Sequence, residues 1–163
     1  MDIRIATLLA AGVLAGCATP TADKPVERPV EKASRPDKTE TRPEPMSSAS
    51  TLEGYKRDLA LRISQMNSSK VYSGRPQALL RSVVVLRYAV DARGHLVRSE
   101  IMRSNRDNET ESTALVSLRS AAPFPRPASH LVRNGKLEIS ETWLFNNDGR
   151  FQLRTIAEPQ MDH

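Results

Sequence analysis

The spacing of apolar residues predicts a helix that begins near residue 50, followed by a strand. Five apolar residues recur at intervals of three or four, which places them on one helix face: Leu52, Tyr55, Leu59, Ile63 and Met66. Ser50 and Glu53 have the spacing of a capping box, so the helix is predicted from Ser50 to about Gln65. Residues 83–90 are rich in β-branched side chains and predict the first strand.

A hairpin is predicted directly after this strand. Asp91 and Gly94 supply the turn, because an aspartate can bond its own backbone and glycine accepts the left-handed conformation. The chain then returns as a second strand, His95–Arg103. Three of its residues are predicted to face a core: Val97, Ser99 and Ile101.

The remaining elements are a helix and two strands. The helix is predicted over residues 109–121, and the prolines that begin at Pro123 end it. Residues 136–145 alternate apolar and polar side chains, which predicts a third strand whose inner row is interrupted by Glu141. A turn at residues 146–149 leads to a short fourth strand at 150–156.

This order of elements predicts an α+β fold. The order α-β-β-α-β(-β) indicates a three- or four-stranded antiparallel sheet packed on two helices. The folded domain is assigned to residues 51–157, and residues 158–163 are predicted to be a flexible tail.

The amino terminus has the pattern of an export signal. A short, positively charged start is followed by about nine mostly apolar residues, too few to span a bilayer, which needs ~20. The run ends in Leu14, Ala15, Gly16 and Cys17, which resembles the lipobox of bacterial lipoproteins. The resemblance implies a signal peptide over residues 1–16, removed by cleavage, and a covalent lipid on the Cys17 thiol. No other cysteine is present to pair with it.

Residues 17–50 are predicted to be a disordered linker. Six prolines alternate there with six basic and six acidic residues, so almost no apolar residue remains to form a core. The net charge of +5 therefore arises after residue 50. Four arginines around the first hairpin form a candidate basic face for lipid phosphate or cell wall: Arg87, Arg93, Arg98 and Arg103. Export excludes nucleic acid as a partner.

The folded part resembles the C-terminal domain of the TonB and TolA family. The residues that carry the match are 83–90 with Asp91 and Gly94, the helix end at 121–125, and the strand end at 143–145. The resemblance implies binding of an extended segment of another envelope protein along an open sheet edge. The third strand is then the binding edge, with these candidate residues: Leu137, Ile139, Glu141, Trp143, Phe145 and Phe151.

The fourth strand leaves two alternatives open at this edge. Residues 151–156 either fold over the third strand, covering its edge or becoming the new one, or simply complete a four-stranded core.

Two departures from the family limit what the resemblance implies. Tyr72 is followed by Ser73, so the tyrosine-proline pair typical of TonB is not present. Family members that transduce energy also hold a transmembrane helix, whereas this chain has a cleavable signal. The expected function is a lipid-anchored binding module at the outer membrane, facing the periplasm, with a periplasmic or outer-membrane protein as partner. The alternatives are a TonB-like energy transducer and a structural tether that uses the basic face.

An enzyme has little support in the sequence. His95, His130 and His163 have no spacing typical of metal ligands or of a nucleophile with its base. With Cys17 lipidated, no catalytic thiol remains. No catalytic residue, metal site or cofactor is therefore expected beyond the covalent lipid.

Overall fold

The computed structural model describes residues 45–159, so the predicted signal peptide, Cys17, most of the linker and the last four residues lie outside it. The described chain forms α1 (Leu52–Met66), β1 (Ser82–Asp91), β2 (Leu96–Arg103), α2 (Asn108–Ser120), β3 (Lys136–Phe145) and β4 (Phe151–Leu153). Two short 3₁₀ turns lie at Ser68–Lys70 and Ser129–Leu131. The predicted α+β class and element order are confirmed.

The four strands form one antiparallel sheet in the order β2-β1-β3-β4. The central pair, β1 and β3, is in register along its whole length, from Ser82 opposite Phe145 to Asp91 opposite Lys136. β4 pairs only with the last three residues of β3, from Trp143 to Phe145. One edge of the sheet is therefore β2, and the other is formed by β4 together with the rest of β3.

The core lies between one face of the sheet and both helices. Alternate residues of β1 and β3 pack there against the apolar faces of α1 and α2, as the period of two along a strand requires. The largest fully buried side chains include Trp143, Tyr55, Tyr88, Phe124, Phe145 and Phe151. The ring of Tyr88 stacks on Phe124 with centroids 6.2 Å apart. These aromatic residues fill the centre of a core whose remainder is mostly aliphatic.

The second strand is more exposed than predicted. Ile101 lies opposite the buried Leu86, yet its side chain is 36% exposed, and Val97 is 54% exposed. β2 is the outermost strand, at the rim of the helix layer. Val97 also falls in an irregularity of the register, between the pairs formed by Ala89 and Val90. The prediction that Val97 and Ile101 face the core was therefore wrong, because both side chains are exposed. Ser99, the third residue predicted to face the core, is half-buried.

The ends of two elements differ from prediction. Thr51, not Ser50, caps α1, because its side chain accepts the Gly54 N–H at 3.1 Å. β4 ends at Leu153, three residues before the predicted end at Ile156, because the chain turns at residues 154–156.

Residues 45–50, predicted as the end of the linker, pack against the domain. The Ser47 N–H donates to the Arg126 carbonyl at 3.0 Å, and the Arg126 N–H donates to the Pro45 carbonyl at 3.1 Å. The Ser47 side chain is buried and donates to Asp58. The folded unit thus includes Pro45, before the predicted boundary at residue 51. Within residues 45–159, no helix has the length and apolar character needed to cross a bilayer.

Candidate binding edge of the sheet

The half of β3 that precedes Thr142 has an open outer side. Along β3, even-numbered residues direct their backbone groups away from β1, as the bond from the Arg154 N–H to the Thr142 carbonyl at 2.9 Å shows. Lys136 is closed off by Arg133, which exchanges two backbone hydrogen bonds with it. Glu138 and Ser140 lie between these points, where no strand of residues 45–159 pairs with them. Their amides and carbonyls form the open edge.

The side chains predicted for partner binding all lie inward. Leu137 and Ile139 are nearly buried, and Trp143, Phe145 and Phe151 are fully buried. The rings of Phe145 and Phe151 meet with centroids 5.7 Å apart. A strand added at this edge would consequently meet the backbone of β3, while these side chains hold the strand in place from inside the core.

The fourth strand completes the core and covers only part of the edge. Phe151 and Leu153 are fully buried, so β4 is part of the domain's interior. Because β4 is three residues long, it pairs with Trp143–Phe145 and leaves Leu137–Glu141 uncovered. Each alternative for this hairpin therefore holds in part: β4 completes a four-stranded core, and it covers the edge of β3 at one end only.

Glu141 marks the boundary between the covered and open halves of β3. Its carboxylate is 4% exposed and accepts the Thr142 N–H at 2.7 Å and the Thr155 N–H at 3.4 Å. Burial raises its pKa, against the opposing effect of the hydrogen bonds from these two threonines. A buried carboxylate in an apolar row is therefore explained by the backbone groups that it satisfies.

These bonds also direct the chain away from the edge. After Leu153, a tight turn forms in which the N–H groups of Ile156 and Ala157 both donate to the Leu153 carbonyl. Glu141 holds the turn at Thr155. Without the turn, an extended chain would continue along β3 opposite Ser140 and Glu138. The turn therefore accounts for both the short β4 and the open edge.

Glu141→Gln is expected to change how stability depends on pH. A raised folded-state pKa means that the native state binds the proton more tightly than the unfolded state. Stability from this group is thus fully present below the ordinary glutamate pKa of 4.5 and is lost as the pH rises through the folded-state pKa. The slope of the free energy of unfolding is at most about 1.4 kcal/mol per pH unit for one proton.

Urea unfolding of the full-length chain at several pH values measures this effect. The difference in stability between the native chain and E141Q should shift in favour of E141Q as the pH rises above 4.5. Glu138→Gln is the matched control, because Lys136, 3.1 Å away, lowers the pKa of that exposed carboxylate, so its contribution to stability should change with pH in the opposite direction. A difference that does not vary with pH would contradict the assignment.

A groove lies beside the start of the open edge. It has a volume of about 640 Å³, and its lining includes Leu52, His130, Leu131, Arg133, Lys136 and Leu137. Leu52 occupies the first turn of α1 with 40% of its surface exposed. His130 is held at the groove by its Nε2, which donates to the Ser50 carbonyl at 2.7 Å. The groove therefore combines an apolar lining with basic side chains.

The predicted basic face is partly neutralised. Arg98 lies 2.6 Å from Glu100, and Arg87 lies 3.6 Å from the same carboxylate. Arg93 and Arg103 are exposed and have no ion pair within residues 45–159. The face therefore carries less uncompensated charge than its four arginines suggest.

The histidines and acidic residues of residues 45–159 form no metal cluster. No cluster of three or more His, Cys, Asp or Glu side chains suited to a metal occurs in the described part of the chain. His95 contacts Asp91 at 3.0 Å within the first hairpin turn. His163 lies outside the described residues.

The residues that form the edge were not singled out from the sequence. Alternation showed that Glu138 and Ser140 face away from the core, but not that their backbone groups face away from β1. Leu131 and Arg133 lie in an irregular segment without periodicity, so the sequence carries no signal that places them near Leu52.

Comparison with family models, with curated proteins and with solved structures finds no match to this chain.

Proposed function

We propose that this chain is a lipid-anchored binding module of the bacterial cell envelope. It binds an extended segment of a partner protein, which adds as a strand to the open half of β3. The supporting observation is that the backbone groups of Glu138 and Ser140, beside an apolar groove, have no strand partner within residues 45–159. Unpaired strand edges accept a further strand because the added backbone satisfies their amide and carbonyl groups.

Backbone pairing alone supplies little affinity here. Two positions offer four hydrogen bonds, worth about 1 kcal/mol each, which the cost of association, about 4 kcal/mol or more, offsets. Side-chain contacts in the neighbouring groove must therefore contribute to any useful affinity. The domain should therefore bind segments whose side chains fit the groove, and should not bind every extended chain.

The proposed anchor places the domain at the periplasmic face of the outer membrane. The lipid on Cys17 holds the chain, and a proline-rich linker extends by ~3.1 Å per residue, so its reach is on the order of 100 Å. The partner is then a periplasmic or outer-membrane protein. The resemblance to the TonB and TolA family supports this form of binding, and the cleavable signal favours it over energy transduction.

Ser140→Pro is expected to weaken binding without unfolding the domain. Proline removes the outward N–H of residue 140, which takes no part in pairing with β1. With a photo-crosslinking amino acid at position 138 in living cells, the yield of adduct to a protein partner should fall about tenfold, as loss of one or two bonds implies.

Ser99→Pro is the matched control, because the Ser99 N–H points outward from β2 at the opposite edge. It should leave the adduct unchanged. Circular dichroism of both variants checks that they remain folded. Equal adduct yields from S140P and the native chain, or loss only with S99P, would refute strand addition at β3.

A further inference from the structure

The groove at the start of the open edge differs chemically from the rest of the sheet's surface. Leu52, Leu131 and Leu137 supply apolar surface from α1, from a 3₁₀ turn and from β3. The groove thus forms only where three separate segments meet. It also lies beside Glu138, one of the two open backbone positions.

A strand added to this edge would direct alternate side chains toward the groove. Side chains of neighbouring strands at paired positions lie on the same face. A partner residue that flanks the one paired with Glu138 would therefore lie on the helix side of the sheet, toward the groove lined by Leu52 and Leu131. An apolar partner side chain at this position removes apolar surface from water on both molecules.

The charge at the rim is unbalanced. Lys136 pairs with Glu138 at 3.1 Å, so these two charges largely cancel. Arg133 is exposed and forms no ion pair within residues 45–159. Its guanidinium therefore carries an uncompensated positive charge at the groove. A carboxylate matches this planar group well, because it can accept two parallel hydrogen bonds from it.

We infer that the edge selects a partner segment with an apolar residue flanked by acidic residues. The apolar side chain enters the groove between Leu52, Leu131 and Leu137, and an acidic neighbour meets Arg133. This inference rests on the proposed strand addition, since pairing with Glu138 and Ser140 places the segment beside the groove.

Three labelled nine-residue peptides test the inference against the full-length chain carrying Cys17→Ser. All three consist of threonine except at the central residue and its two neighbours. The first has a central leucine between two aspartates, the second a central alanine between two aspartates, and the third a central leucine between two lysines. Fluorescence anisotropy measures their dissociation constants. The leucine-aspartate peptide should bind about tenfold more tightly than the alanine peptide and about fivefold more tightly than the lysine peptide.

Arg133→Glu should remove the preference for aspartate over lysine. Arg103→Glu is the matched control, because Arg103 is likewise exposed and unpaired but lies on β2. Equal binding of the three peptides, lost in S140P, would refute the groove's selectivity and leave strand addition standing. Absence of binding by all three, or binding unaffected by S140P, would refute both.

Discussion

Replacing Trp143 with alanine is expected to lower the free energy of unfolding by about 3–5 kcal/mol. The side chain is fully buried at the centre of the core, and its removal leaves a cavity that rigid neighbours do not close. Its indole Nε1 also donates to Ser117 Oγ at 3.0 Å, a bond that alanine cannot replace. Urea unfolding followed by circular dichroism measures the change.

Trp143→Phe separates the two contributions. Phenylalanine keeps most of the apolar contact but leaves Ser117 without its donor, so a loss of about 1–2 kcal/mol is expected. Adding Ser117→Ala to Trp143→Phe should restore part of the lost stability, because neither the donor nor the acceptor of this hydrogen bond is then left buried and unpaired. If W143A kept native stability yet lost the crosslinked partner, Trp143 would be a binding residue and the burial argument would be wrong.

Gly94→Ala is expected to destabilise the domain by about 3 kcal/mol or more. Gly94 has φ of +91°, and a Cβ there would collide with the carbonyl oxygen of Phe124. The Phe124 backbone has little room to move, because its N–H donates to the Gly94 carbonyl at 2.8 Å and its ring is buried against Tyr88. The substitution therefore strains the first hairpin and the segment after α2 together.

Gly135→Ala is the control for backbone conformation alone. Gly135 also has a positive φ, +77°, but a Cβ there would meet no atom within 4 Å. Its substitution should cost about 1 kcal/mol. The difference between the two alanine variants in urea unfolding isolates the collision with Phe124. If both variants lost the same free energy of unfolding, the close contact between residue 94 and the Phe124 carbonyl would contribute nothing.

The fold was largely predictable because its elements have clear local periods. The alternation in β3 predicted both ends of that strand, Lys136 and Phe145, and the repeat of three and four residues placed α1 within two residues at each end. The cap of α1 was misplaced by one residue, because Ser50 and Thr51 both suit the capping position and the sequence does not show which hydroxyl accepts the Gly54 N–H.

Glu141 shows how a local irregularity indicates a site without explaining it. In the sequence, Glu141 is the one acidic residue among the inward-facing apolar positions of β3, and this marked it as an exception to the alternation. Only the tertiary structure brings Thr155 to its carboxylate, which explains both the burial of the acid and the early end of β4.

The sequence by itself determined the helices, the strands, the α+β class and the presence of a candidate lipid site, because each depends on residues close together in the chain. The tertiary structure alone decided which backbone groups of β3 are open, how much of the edge β4 covers, and which residues line the groove. These properties follow from pairing between distant segments, and a strand's side-chain alternation does not reveal which neighbour its amides face. Partner recognition is proposed at Glu138 and Ser140 for this reason, while the buried residues first singled out hold the edge from within.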